Sequence, residues 1–230
     1  MIYSAVGGES TSGQMAWMLL AMAMHPDIQK KAQAQIDRVV GRDRMPALRD
    51  IPQLPYVSAL VTEIMRWHGI APLGVPHRLN TDDYYEGFYL PKDTVVIANV
   101  WALNHDPEVW GPDADDFRPE RHLDDDGQLK KPLPDTHDES HVSFGFGRRI
   151  CVGRAVAQNS LLIQTACILW ATNVSFPKDN SGNPIIPDPS ACIDTGLVVR
   201  PEPFSCEIRP RSSDVGTVIR HSLDAKGISF

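Results

Sequence analysis

The ten residues from 144 to 153, FGFGRRICVG, constrain this 230-residue chain more than any other segment. Their one cysteine, Cys151, is a candidate metal ligand, because coordination to a metal stabilises the thiolate form of a cysteine. Gly147 and Gly153 let the backbone pass close to a flat ligand, where a Cβ atom would collide. Arg149 offers a charge-assisted partner for a carboxylate on such a ligand. The window therefore favours a ligand over a buried structural cysteine.

Composition excludes several classes of protein. The formal net charge of −7 argues against nucleic acid as a partner, because binding to phosphates depends on lysine and arginine. Hydrophobic residues make up 42% of the chain, which is enough to build a sizeable core. The four cysteines show no CxxC pairing, which argues against a disulfide scaffold and favours a reducing compartment.

The hydrophobic pattern predicts a mainly helical chain with small β-sheets, an α+β fold. Helices are predicted over residues 1–24, with an interruption near Gly7 and Gly8, from Pro26 to a stop at Gly41, and over residues 55–67 and 153–172. A β-hairpin is predicted from residues 84–90 and 94–98 with a turn at 91–93, and short strands are predicted at 196–199 and 204–208. Residues 50–54 are expected to form a connector, residues 104–141 loops, and the residues after 211 a polar, frayed tail.

The most apolar stretch of the chain is residues 15–24, MAWMLLAMAM. It is too short to span a bilayer, which takes about 20 residues, and it lacks the basic region that begins a secretory signal. Because it is apolar all round, the run predicts a buried core helix.

Two segments upstream of the cysteine window carry a further pattern. Glu63 and Arg66 are three residues apart and so share one side of a helix, and residues 117–121 read FRPER. With the cysteine window, which fits FxxGxRxCxG at every defined position, these segments resemble the ExxR and PERF-type motifs of the cytochrome P-450 family, of microsomal and fungal-like type. His122 stands where Phe or Trp is usual. The resemblance covers residue 5 to about residue 210.

The resemblance implies a fold, a cofactor and a set of site residues. Residues 1–210 would be the C-terminal part of a single cytochrome P-450 domain, from the oxygen-binding helix onwards, and 211–230 a polar tail. The cofactor would be haem b, with the Cys151 thiolate as axial ligand. The resemblance also implies haem contacts by Phe144, Gly147, Arg149, Gly153 and His77. Arg78 is an alternative to His77. Glu63, Arg66 and Arg121 would form a partly buried structural cluster.

The oxygen-activation motif, (A/G)Gx(D/E)T, is present in altered form as VGGES at residues 6–10. Glu9 would supply the acid of a proton relay and Ser10 the alcohol. Serine keeps the hydroxyl of threonine but loses the methyl group that helps to fix its rotamer, so Thr11 is an alternative alcohol. The two glycines would loosen the helix beside the bound dioxygen.

By this resemblance the protein is a monooxygenase that inserts one oxygen atom of O2 into a small apolar substrate. Residues 70–75 and 195–198 correspond to substrate-lining stretches. Electrons would come from an NADPH-cytochrome P-450 reductase, at the cytosolic face of the endoplasmic reticulum membrane. Members of the family are longer, so a membrane anchor and the earlier helices are expected to be missing and the run 15–24 to lie uncovered. Two alternatives are a truncated, non-catalytic haem-binding fragment and a haem-thiolate isomerase or dehydratase.

Overall fold

The structure is a computed structural model that describes residues 2–196 and 198–224, with side chains from residue 7 onwards. Helices make up most of the regular structure and small antiparallel strand pairs lie around them, which confirms the α+β prediction. The helices are α1 Ile2–Met24, α2 Pro26–Val40, α3 Pro55–Trp67, α4 Val100–Asn104, α5 Pro107–Trp110, α6 Arg154–Ala171 and α7 Val215–Asp224. The strands are β1 His77–Arg78, β2 Asp83–Tyr85, β3 Phe88–Leu90, β4 Val95–Val96, β5 Thr172–Ser175, β6 Cys192–Asp194, β7 Val199–Pro201 and β8 Glu207–Pro210.

The apolar run in α1 lies at the centre of the core. The side chains of Trp17, Met18, Leu20 and Met22 are buried among α2, α3, α6 and the neighbouring strands. The prediction of a buried core helix is confirmed, and the expectation that this run lies uncovered was wrong. The reason is that α3 and α6, which lie much later in the chain, supply the covering residues. No helix in the described part of the chain is both long and apolar enough to cross a bilayer.

The predicted interruption of α1 at Gly7 and Gly8 is also wrong, because the helix runs through both residues. Further along, α1 is tied to α3 by the buried side chain of Gln14. Its Nε2 donates to the carbonyl oxygens of Ile64, at 3.0 Å, and His68, at 3.2 Å. The carbonyl of Ile64 also accepts the amide of His68, and the carbonyl of His68 lies just past the end of α3, where a helix has no further N–H of its own to offer.

Helices α2, α3 and α6 pack around α1, as their apolar faces predict. Pro55 begins α3 at a position where the missing N–H costs nothing. Nearly every side chain of α3 is buried, including those of Glu63 and Arg66. Residues 50–53 of the predicted connector instead belong to a 3-10 helix, Leu48–Gln53. The helix bounds of α2, α3 and α6 otherwise agree with the sequence prediction to within one residue.

The strand pairs differ from the prediction. The hairpin joins β2 to β3 through Glu86 and Gly87, which both have positive φ, and so its turn comes five residues before the predicted one. Strand β4 pairs with β1 rather than with β3. The strands predicted at 196–199 and 204–208 begin three residues later, as β7 and β8. Strand β7 pairs with β6, and β8 pairs with β5. Leu197, within the strand predicted at 196–199, lies outside the described residues.

The region predicted as loops and the region predicted as a tail both contain helices. Asn99 and Asp106 cap the starts of α4 and α5 with their side chains, and α5 lies within residues 104–141. Helix α7 follows Arg211, and its Val215 is buried against the core with Val218 and Ile219 half-buried beside it. The frayed tail is therefore wrong for residues 215–224, while residues 225–230 lie outside the described residues.

Candidate functional site

The cysteine loop closes on itself between Phe144 and Cys151. The amide of Cys151 donates to the carbonyl oxygen of Phe144 at 2.8 Å, and the amide of Ile150 donates to the carbonyl of Gly147 at 3.2 Å. Gly147 has a φ of +53°, in the left-handed region that favours glycine. The loop therefore presents the Cys151 side chain as an exposed, free thiol.

The sulfur of Cys151 lies near the beginning of α6. A Cβ atom on Gly153 would lie 3.8 Å from Cys151 Sγ, an ordinary contact, and Gly153 is the N-cap residue of the helix. The N-terminal end of a helix carries partial positive charge, which stabilises an anion such as a thiolate. The backbone of Gly153 itself has φ −86°, so its conformation does not require glycine.

Two exposed apolar side chains follow Cys151 closely in the chain. Val152 is 96% exposed and Val156, in the first turn of α6, is 72% exposed. A flat macrocycle that covered these valines would be favoured by about 25 cal/mol per Å² of apolar surface covered, so the residues around the thiol fit an apolar ligand such as haem. Arg149 is exposed on the same loop and so is accessible to a carboxylate.

His77 and Arg78, the two candidates for a propionate contact, both lie exposed on β1. Arg78 also lies 3.4 Å from a carboxylate oxygen of Asp93, in an ion pair open to solvent. His77 pairs with Val96 of β4 through the backbone. Its side chain is accessible to a ligand.

The predicted contact among Glu63, Arg66 and Arg121 is present and buried. Glu63 and Arg66 are both 0% exposed, and two parallel hydrogen bonds of 2.8 Å join them. Arg121 Nε donates to Glu63 Oε1 at 2.9 Å. Arg66 also donates to the backbone carbonyls of Asn104 and Ala114, at 2.7 Å each. The cluster therefore ties α3 to the irregular segment between α4 and the cysteine loop.

His122 is a member of this cluster that the sequence prediction missed. Its Nε2 lies 2.8 Å from Glu63 Oε2, and because a carboxylate only accepts hydrogen bonds, Nε2 is the donor. Burial opposes ionisation of Glu63, but the hydrogen bonds from Arg66 and His122 outweigh it and lower the pKa of the carboxyl to about 2. The departure of His122 from the usual Phe or Trp was the available signal.

The three residues predicted to form the proton relay, Glu9, Ser10 and Thr11, lie together on α1. Glu9 is exposed, and the hydroxyls of Ser10 and Thr11 both point to the carbonyl oxygen of Gly7, at 3.2 Å and 3.4 Å. A Cβ atom on Gly7 or Gly8 would meet nothing within 4 Å among the described atoms. The two hydroxyls thus share one acceptor, and the side chain of Val6 lies outside the described residues.

The two predicted substrate-lining stretches meet α1 close to these residues. A Cβ atom on Gly13 would lie 3.5 Å from Val198 Cγ1 and 3.6 Å from Ile70 Cγ2. The amide of Val199 donates to the carbonyl of Ile70 at 2.7 Å, which holds the two stretches side by side. The structure therefore brings residues 70 and 198 together next to α1.

An exposed thiol at a helix N-terminus on a glycine-rich loop, together with a buried Glu-Arg-Arg cluster, is the arrangement expected of a haem-thiolate protein. The model of the cytochrome P-450 family matches residues 4–208. The chain belongs to the cytochrome P-450 family.

Fungal relatives cover nearly the whole chain. It is 50% identical to a cytochrome P-450 monooxygenase of Armillaria gallica over 97% of this chain and 43% of the relative. It is 49% identical to cytochrome P-450 monooxygenase 58 of Postia placenta, over 93% of this chain and 40% of the relative, and 43% identical to the monooxygenase eriA of Hericium erinaceus, over 95% and 40%. The chain thus spans less than half the length of these curated relatives.

Proposed function

We propose that this chain carries the haem-thiolate half of a monooxygenase that inserts one oxygen atom of O2 into a small apolar substrate. The observation that carries the proposal is the free, exposed Cys151 thiol at the beginning of α6. When bound, haem b would supply the oxygen-activating chemistry. The residues of this chain would hold it, with Cys151 on the iron and Phe144, Gly147 and Gly153 shaping the loop around the ligand.

Polar side chains on two elements would bind the propionates. Arg149 lies on the cysteine loop and His77 on β1, and both are exposed. A guanidinium pairs well with a carboxylate through charge-assisted hydrogen bonds. Arg78 is the alternative on β1, at the cost of its ion pair with Asp93.

Residues of α1 would deliver the protons that the reaction consumes. Glu9 is exposed and would exchange protons with solvent, and the hydroxyl of Ser10 or of Thr11 would pass a proton inward. Each hydroxyl keeps acceptor capacity while it donates to Gly7. Ile70 and Val198, which meet α1 at Gly13, would present an aliphatic surface to the substrate.

The proposal extends to partners and place. Electrons would come from an NADPH-cytochrome P-450 reductase, and the protein would work at the cytosolic face of the endoplasmic reticulum membrane. The family membership supports a redox partner, and the location rests on the resemblance of the motifs at Glu63 and Cys151 to those of microsomal members.

The reduced carbon-monoxide difference spectrum of the haem-supplied chain tests the ligand assignment. We expect the Soret band of a thiolate-bound haem for the unaltered chain and its complete loss in Cys151→Ser. Cys192→Ser is the matched control, because Cys192 is also an exposed free cysteine but lies on β6. A thiolate band that survives in Cys151→Ser, or that is missing from the unaltered chain, would contradict the proposal.

A further inference from the structure

Asn104, the last residue of α4, binds the segment that leads into the cysteine loop. Its side chain is buried, with 1% exposure. Its Oδ1 accepts from the amide of Val142 at 3.1 Å, and its Nδ2 donates to Ser143 Oγ at 2.9 Å. Both polar groups of one amide side chain are therefore used to hold two consecutive residues of that segment.

Ser143 extends this connection to α3. Its hydroxyl donates to the carbonyl oxygen of Met65 at 2.6 Å. Gly69 leaves the space for that hydroxyl, since a Cβ atom at Gly69 would lie only 2.7 Å from Ser143 Oγ. The serine is thus held between the end of α3 and the side chain of Asn104.

Two further hydrogen bonds carry the connection on to Cys151. The carbonyl of Phe144, the residue after Ser143, accepts the amide of Cys151 at 2.8 Å, and Gly145 donates to the carbonyl of Val142 at 3.0 Å. At the other end, the carbonyl of Asn104 accepts from Arg66 Nη1. The route from the buried ion cluster to the thiol therefore passes through Asn104.

We propose that Asn104 and Ser143 are positioning residues for the Cys151 thiolate. They fix residues 142–144 against α3 and α4, and the Phe144 carbonyl then fixes the amide of Cys151. A ligand must be held within about 0.5 Å of its productive position by the residues behind it. This proposal rests on the proposed function, because it takes Cys151 as the haem ligand.

The test compares Asn104→Ala and Ser143→Ala with Asn99→Ala in the 230-residue chain. Asn99 is the matched control because its side chain caps the beginning of the same helix, accepting from the Ala102 amide at 3.0 Å, and is exposed. Amide hydrogen exchange at Val142 and Cys151 is measured without haem. The thiolate-bound fraction is measured from the reduced carbon-monoxide spectrum with haem.

We expect exchange at Val142 and Cys151 to rise about tenfold in Asn104→Ala, which removes two hydrogen bonds, and less in Ser143→Ala. The thiolate-bound fraction should fall in both variants. Asn99→Ala should leave both quantities at the unaltered values, even where it lowers Tm. If Asn104→Ala does not fold, Ser143→Ala, which removes a single hydroxyl, decides the test.

Unaltered exchange and an unaltered thiolate fraction in the folded variants would overturn the proposal, as would an equal change in Asn99→Ala. An unaltered chain that forms no thiolate-bound haem would contradict the proposed function instead. The exchange measurement needs no haem, so it still decides whether Asn104 holds the cysteine loop.

Discussion

The buried carboxylate of Glu63 accepts hydrogen bonds from five donors. They are Arg66 Nε and Nη2, Arg121 Nε, His122 Nε2 and the amide of Arg118, all within 2.9 Å of a carboxylate oxygen. A buried charge without such partners would cost several kcal/mol, about as much as a whole domain can spare. The cluster is therefore stable only when complete.

Glu63→Ala should lower the free energy of unfolding by about 3–5 kcal/mol and abolish haem incorporation, because it leaves Arg66 and Arg121 buried without the Glu63 carboxylate. Urea unfolding and haem content measure the two effects. Glu120→Ala is the matched control. Its carboxylate is only half-buried and binds Lys31 and Tyr56, so its removal should cost about 1 kcal/mol and leave haem content normal. Normal haem content in Glu63→Ala would contradict the prediction.

At the scale of the elements, α2 and β5 are joined by the side chain of Gln29, which forms the two backbone hydrogen bonds that a neighbouring strand would form. Gln29 is buried on α2, and its Nε2 donates to the carbonyl of Val174 at 2.9 Å while its Oε1 accepts the amide of Val174 at 2.8 Å. The backbone N–H and C=O of Val174 in β5 are thereby satisfied without a further strand. Gln29 lies among the apolar positions of α2, where a polar residue needs such partners.

Gln29→Leu should lower the free energy of unfolding by about 2–4 kcal/mol, because the buried N–H and C=O of Val174 lose their partner. Chemical denaturation measures the change. Lys30→Leu, at the exposed neighbouring position on α2, should change the free energy of unfolding by less than about 0.5 kcal/mol. Equal effects of the two substitutions would show that Gln29 acts through helix propensity rather than through β5.

On the scale of the whole molecule, His68 joins three helices. Its ring stacks on Trp17 of α1 at 3.8 Å between centroids and lies 5.4 Å from the ring of Trp101 of α4. Burial lowers the pKa of His68 to about 3, and the nearby His105 and Arg66 act in the same direction. Burial likewise lowers the pKa of His141, next to the cysteine loop, to about 3. Between pH 6.5 and about 3, the folded chain therefore keeps both rings neutral, whereas the unfolded chain would protonate them.

Acid should therefore destabilise the fold. Since the folded pKa of His68 lies below the ordinary 6.5, its contribution is present above pH 6.5 and is lost as the pH falls towards 3. His68→Phe keeps a ring in the stack but cannot titrate, so the loss in the free energy of unfolding between pH 6.5 and 4.5 should shrink by on the order of 2 kcal/mol. Unfolding curves at several pH values measure it. His137→Asn, at an exposed histidine, is the control and should leave the slope unchanged.

Local spacing in the sequence was enough for the motifs and for most of the helices. Residues three or four apart on a helix are neighbours whatever surrounds them, so the pairing of Glu63 with Arg66 and the buried face of α2 followed from the chain alone. The matched positions around Cys151 resembled the cytochrome P-450 family, and the family model at residues 4–208 confirmed that resemblance.

Only the tertiary structure decided the contacts between distant segments. The approach of His122 to Glu63, the bridge of Asn104 to Ser143 and the pairing of β4 with β1 join residues between 17 and 59 positions apart. The covering of the apolar run in α1 by α3 and α6 belongs to the same group. No local period encodes such contacts, because they depend on how whole elements pack against one another.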